Sequence, residues 1–159
     1  MIQKRKNIRL PSQQYEIPSQ IFSITICTHN RRPLFKDKDF AGLTFDTLRS
    51  GPFRKQTKLY AACLMPDHLH LLTSPAEGSL INSVNRWKSY TANLLLKKGV
   101  NSPCWQRGFY DHAIRNEEDV PTVAEYIVNN PIRAGIVRHS VDYPFSWHRW
   151  MSDMPVSPT

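Results

Sequence analysis

The chain has 159 residues, 40% hydrophobic and 21% charged, the proportions of one globular domain able to bury its own core. Its formal net charge of +8 attracts polyanions, nucleic acid first and an anionic membrane surface second. The three cysteines, Cys27, Cys63 and Cys104, are odd in number and widely spaced without a CxxC. That argues against a disulfide framework and suits reduced thiols in a cytoplasm.

Residues 1–20 are polar and basic and read as an extended arm. Its Lys4, Arg5, Lys6 and Arg9 either follow a nucleic-acid backbone or are simply solvated. No apolar run that would make a leader or a membrane span follows. In residues 21–28, Phe22, Ile24 and Ile26 alternate with Ser23, Thr25 and Cys27, which predicts a strand. A basic turn, His29 to Pro33, comes next. Residues 37–50 predict a helix, with Phe40, Ala41, Phe45 and Leu48 at helical spacing and Gly51 as its stop. Residues 58–65 and 68–73 predict two strands, and the tight turn at Pro66 and Asp67 makes them an antiparallel pair. Residues 79–98 form the clearest helix, capped by Ser79 and stopped at Gly99, with Leu80, Val84, Trp87, Leu94 and Leu95 as its apolar stripe. Residues 105–114 predict a fourth strand. A last helix begins near Asp119, because Pro121 belongs in a first turn, and ends about Asn130, before Pro131. Residues 151–159 read as a flexible tail. The order strand, helix, strand, strand, helix, strand, helix predicts an α+β, ferredoxin-like (split βαβ) antiparallel sheet with an added C-terminal helix, in a single domain over residues 1–159.

Two local patterns bear on chemistry. His68 and His70 are two apart on a predicted strand, so both imidazoles point to one face. Neutral imidazole is a common metal ligand, though surface or hydrogen-bonded histidines account for a lone HxH as well. Tyr126 and Asn130 are four apart on the last helix and lie at the flank of its stripe of Val120, Val123, Ala124, Ile127 and Val128. A tyrosine serving only the core belongs on the stripe; one at its flank either faces a cleft or is simply exposed.

Three stretches together resemble the REP-associated tyrosine transposases, which belong to the HUH single-tyrosine transposases. They are Met65-Pro66-Asp67-His68-Leu69-His70-Leu71-Leu72, the run Trp105-Gln106-Arg107-Gly108-Phe109-Tyr110-Asp111-His112-Ala113-Ile114-Arg115, and Tyr126-Ile127-Val128-Asn129-Asn130-Pro131-Ile132-Arg133-Ala134-Gly135. The resemblance covers about residues 15–150. It implies a palm-type sheet with the histidines on a central strand, His68 and His70 as metal ligands, and Tyr126 as a nucleophile on a C-terminal catalytic helix. It also implies Asn130 where related transposases carry a third polar ligand, a position at which they use glutamine. The activity implied is nicking and strand transfer on single-stranded DNA at palindromic repeats folded as hairpins, through a 5′-phosphotyrosine.

Two imidazoles and an amide oxygen suit Mg²⁺ or Mn²⁺. Zinc held by the histidines with Cys63 or Cys104 lacks the usual ligand spacing. Candidate DNA contacts are Arg31, Arg32, Lys88, Arg107, Arg115 and Arg133, with Trp105 and Tyr110 as stacking platforms and His112 near the site. Two other classes stay open: a repeat-hairpin DNA-binding protein without catalysis, and an RNA-binding ferredoxin-like module. The latter lacks the aromatic block with flanking glycines that an RRM carries.

Overall fold

The computed structural model describes residues 9–151. In chain order it contains β1 (Phe22–Cys27), α1 (Lys38–Asp46), α2 (Pro52–Gln56), β2 (Thr57–Met65), β3 (His68–Pro75), α3 (Leu80–Lys97), β4 (Tyr110–Ala113), α4 (Val120–Val128), α5 (Asn130–Arg133) and β5 (Ser146–His148). The strands form one sheet in the order β4-β1-β3-β2-β5, every pair antiparallel. The first four have the split βαβ order of the ferredoxin-like α+β fold, and β3, the histidine strand, is the middle one of five. Among the described residues no helix is long and apolar enough to cross a membrane.

Register defines two faces. Thr25 and Cys63 flank His70, and Cys27 and Met65 flank His68. Because side chains alternate along a strand, these six residues share one face. Ile24, Ile26, Leu69, Leu71, Ala62 and Leu64 point the other way, all fully buried. They join Ala41 and Phe45 of α1, Phe53 of α2, and Leu80, Val84, Trp87 and Leu95 of α3 in one apolar cluster. Helix α4 packs on β2 and β5 and touches β3.

Several expected boundaries move, each for a local reason. The helix expected over residues 37–50 ends at Asp46, and its start is fixed by the Asp37 carboxylate, which accepts from the N–H groups of Asp39 (2.9 Å) and Phe40 (3.1 Å). Gly51, at φ +106°, does not merely stop a helix; it precedes a second one, α2, with Pro52 in its first turn. On α3 the stripe position expected of Leu94 is taken by Thr91, fully buried because its hydroxyl accepts the Trp105 indole N–H at 3.0 Å. The fourth strand shortens to four residues, because Gly108 turns the chain at φ +76° and Trp105 makes only an isolated bridge with Thr28. Strand β5 has no counterpart among the predicted elements.

The N-terminal segment is the largest correction. Over residues 9–20 it is packed, not extended. A 3-10 turn, Ser12–Glu16, buries Tyr15, which stacks on Phe22 with ring centroids 4.9 Å apart. The Tyr15 hydroxyl donates to Asp111 Oδ2 at 2.7 Å, and Arg9 donates to Asp111 Oδ1 at 2.7 Å while lying 4.0 Å from the Phe109 ring centre. Arg9 therefore neutralises a nearly buried carboxylate instead of facing a polyanion. Lys4, Arg5 and Lys6 lie outside the described residues.

Candidate active site

The β2–β3 hairpin builds the first half of the site. Its turn residues are Pro66 and Asp67, and the turn is fastened from β1's end. Thr28 donates to the Asp67 carbonyl through its backbone N–H (2.9 Å) and its hydroxyl (3.0 Å). That leaves the Asp67 carboxylate free to hold two neighbours. Oδ1 lies 2.6 Å from His68 Nδ1, and Oδ2 accepts from Arg31 Nε at 3.0 Å. Burial works against this carboxylate. The hydrogen bonds from His68 and Arg31, with the Arg31 charge, outweigh burial and hold its carboxyl below the ordinary range.

His70 is anchored from the other neighbouring strand, with Nδ1 3.1 Å from Thr25 Oγ1. With both Nδ1 atoms engaged, the two Nε2 atoms meet 3.1 Å apart, the rings nearly perpendicular at 88°. Burial, then the charges of His68, Arg133 and Arg31, push His70 down to about 4. It is therefore neutral at physiological pH, with a lone pair available. Outer partners on Nδ1 with Nε2 directed inward is the arrangement found around metal-ligating histidines. Among the described residues no three His, Cys, Asp or Glu side chains come together as a metal site. A third protein ligand would have to be of another type, and Cys63 is ill suited: burial pushes its thiol up to about 12.

The second half of the site comes from α4 and α5. Asp119 caps α4 by accepting from Thr122 N–H at 3.3 Å, and Pro121 occupies the first turn, as expected. Ala124, Ile127 and Val128 face inward, which leaves Tyr126 at 64% exposure on the outer flank. The helix breaks at Asn129 (φ −86°, ψ 1°) and restarts as α5 with Asn130, Pro131 in its first turn. Arg133 closes this unit, with its guanidinium carbon 3.6 Å from the centre of the Tyr126 ring. One terminal nitrogen donates to the Tyr126 carbonyl (2.7 Å) and to Asn130 Oδ1 (2.6 Å). The Arg133 charge acts on both His70 and Cys63, partners across β3 and β2. The end of α5 therefore lies over the face that carries the histidines.

The other sequence candidates separate by what they touch. Lys88 is half-buried, donating to the carbonyls of Gln106 and Gly108 at 2.7 Å each. Trp105 is 7% exposed, packed between Phe35 and Trp87. A stacking platform needs an open ring face, so Trp105 is core, and Lys88 is a brace for the loop before β4. Arg32 ties the same loop through the carbonyls of Asn101 (2.7 Å) and Pro103 (3.0 Å). Arg31 is committed to Asp67 and lies 3.2 Å from the Cys27 sulfur. Arg107, Arg115 and Tyr110 are exposed. His112 pairs with Glu118 at 3.0 Å. Sequence reasoning missed Asp67 and Thr25. Asp67 had a signal, since it adjoins His68 in a tight turn; Thr25 had none without the strand register.

An antiparallel α+β sheet, with paired imidazoles on its middle strand and an exposed tyrosine on the helix laid against it, defines the structural class. Residues 17–130 match the family described as Transposase IS200 like, and the chain belongs to that family. It is 29% identical over 141 residues to a REP-associated tyrosine transposase of Escherichia coli (strain K12), covering 86% of this chain and 82% of that protein. A Haemophilus influenzae protein (strain ATCC 51907 / DSM 11121 / KW20 / Rd), named for the same group, is 32% identical over 102 residues, 56% of this chain and 58% of its own length. Among solved structures, a REP-associated tyrosine transposase bound to a REP hairpin shares the fold with a TM-score of 0.66. That match is 24% identical and covers 87% of this chain and 82% of the other.

Proposed function

We propose that this transposase is a metal-dependent single-stranded DNA endonuclease and strand transferase acting at hairpin repeats, with Tyr126 as its nucleophile. One observation carries the reading: an exposed tyrosine stands on a helix packed against the sheet whose middle strand presents two imidazole Nε2 atoms 3.1 Å apart. The hairpin substrate follows from the relatives, whose names and bound DNA concern REP elements.

The chemistry follows from atoms. The Tyr126 phenol oxygen attacks the scissile phosphorus. The new P–O bond forms as the bond to the upstream 3′ oxygen breaks, the phenolic proton leaves to solvent, and the 3′ oxygen ends as a hydroxyl. The downstream strand remains on Tyr126 through its 5′ phosphate, a polarity that comes from the family resemblance. A second 3′-OH then attacks the same phosphorus and releases the tyrosine, one ester exchanged for another without ATP. Free tyrosine has a pKa of about 10, so attack at neutral pH needs assistance.

The donor set fits a divalent cation. His68 and His70, their rings fixed at Nδ1, would hold it through Nε2, and the Asn130 amide oxygen would be the third ligand. Bound there, Mg²⁺ or Mn²⁺ would supply Lewis-acid polarisation of the phosphate and offset charge in the transition state. The chain's own residues do the remainder: Asp67 and Thr25 orient the imidazoles, and exposed Arg107 and Arg115 hold the backbone of the strand.

The test is a covalent adduct. Protein incubated with Mn²⁺ and a single-stranded hairpin taken from repeats beside its own gene is expected to migrate as a protein–DNA conjugate in denaturing gels. Tyr126→Phe is expected to bind the hairpin and form none. Conjugate surviving in that variant would remove Tyr126 from its role, and hairpin binding without conjugate in the wild type would point to a binding protein without catalysis.

A further inference from the structure

An exposed tyrosine on a helix flank ordinarily exchanges among rotamers, and a nucleophile that wanders loses the advantage of proximity. Tyr126 is 64% exposed, so burial alone does not fix its ring. What covers the ring is Arg133. Its guanidinium carbon is 3.6 Å from the ring centre, a shorter distance than in the other cation–aromatic contacts of the described residues.

The sequence would not put these groups together by simple helical continuation. Residues seven apart on an unbroken helix share a side but stand about 10 Å apart along the axis. Between Tyr126 and Arg133 the helix is interrupted at Asn129 and restarts at Asn130–Pro131. The Arg133 side chain spans that interruption and bonds to both sides of it, at the Tyr126 carbonyl (2.7 Å) and Asn130 Oδ1 (2.6 Å). A guanidinium only donates, so its partner on Asn130 must be the amide oxygen. That oxygen keeps a second lone pair for a metal ion.

We propose that Arg133 is the positioning residue of the reaction: it clamps the Tyr126 ring in one rotamer and holds the Asn130 amide with its oxygen in a fixed direction. The inference rests on Tyr126 being the nucleophile. It requires arginine and not merely positive charge. A planar guanidinium can lie flat on a ring while donating in its own plane; an ammonium cannot do both.

The contact itself is read first, without DNA or metal. In NMR spectra of the whole protein, cross-relaxation is expected between the Tyr126 ring and the Arg133 side chain, with couplings for a single Tyr126 χ1 rotamer. Both are expected to vanish in R133M and R133K. A rotamer-averaged Tyr126 in the wild type, with no Arg133 contact, would overturn the clamp. Single-turnover adduct formation at saturating hairpin and Mn²⁺ comes next, beside wild type and Y126F. R133A and R133K are both expected to slow the step by about 100-fold, the scale for misplaced reacting groups, with hairpin affinity within about twofold of wild type. Added guanidinium ion is expected to restore part of the R133A rate, and ammonium none, a rescue that a purely structural defect would not give. A wild-type rate in R133K, or a loss of hairpin affinity that matches the loss of rate, would overturn the proposal in favour of a simple phosphate contact or no role. Should the wild type form no adduct while the ring contact is present, the nucleophile reading fails and takes the positioning role with it, leaving a structural contact.

Discussion

Removing the Asp67 side chain separates the orientation of the histidine pair from its presence. In Asp67→Ala both imidazoles remain, but His68 loses the carboxylate 2.6 Å from its Nδ1 and Arg31 loses its anchor. The turn itself should persist, because Thr28 holds the Asp67 main-chain carbonyl, which alanine retains. The change is therefore expected to act on metal binding and little on the fold. Outer partners of metal-ligating histidines are worth about 10–100-fold in affinity, or roughly 1.4–2.8 kcal/mol. Asp67 is the only hydrogen-bond partner of His68 Nδ1 among the described residues, and its carboxylate is charged, which places the expectation in the upper half of that range. Asp67→Asn keeps an acceptor without the charge and is expected near the lower end. Mn²⁺ titration followed by electron paramagnetic resonance measures this on DNA-free protein, with thermal unfolding as the control. An Asp67→Ala protein that binds Mn²⁺ within twofold of wild type would refute the idea that Asp67 orients a ligand.

Other expectations test the packing that supports the site. Thr91→Val leaves the buried Trp105 indole N–H without its 3.0 Å acceptor; urea denaturation should show a loss of about 1–3 kcal/mol, while hairpin affinity, if Trp105 is core and not a platform, stays unchanged. Asp111→Ala strips a side chain that is 9% exposed of its bonds from Arg9 and Tyr15. Breaking a buried pair costs about 3–5 kcal/mol, and partial resolvation of Arg9 at the surface lowers the expectation to about 2–3 kcal/mol. Burial raises the Cys63 thiol to about 12, so at pH 8 only about one molecule in 10⁴ carries a thiolate there. Iodoacetamide labelling of Cys63, mapped by mass spectrometry, should thus track global unfolding; rapid labelling of the native protein would contradict the buried position.

What the sequence disclosed and what it withheld divide along the range of the interactions involved. Alternation in Phe22–Cys27 and the helical stripe from Leu80 are set by neighbours within a few residues, so period and caps reveal them. The HxH pair likewise follows from alternation on a single strand. The residue types of Trp105 and Lys88 say nothing of burial; Thr91, Gln106 and Gly108, brought near by folding, decide it. The sequence does not show that Arg9 is paired, because its partner Asp111 is 102 residues away. The three residues of β5 are too few to show a period, and their strand character depends on β2 beside them.

The same division explains how the site is divided between elements. His68 and His70 sit on a strand with a partner strand on each side, and each Nδ1 is held from outside β3's own side chains or by its turn, so their geometry is fixed by the fold. Tyr126, Asn130 and Arg133 belong to a helix that is interrupted between the first two and is joined to the sheet through the α4 stripe. Pro131 is central to that arrangement. It suits the first turn of a new helix and has no N–H to continue the α4 ladder back to the Ile127 carbonyl. The chain thus departs from a straight α4 at Asn129, just before Asn130. A substitution such as Pro131→Ala, which permits an unbroken helix, is expected to leave the histidine pair in place while carrying Arg133 away from the Tyr126 ring. Loss of the Tyr126–Arg133 contact in NMR, with the imidazole signals unchanged, would show that the break sets the position of Tyr126; an intact contact would assign that role to the guanidinium alone.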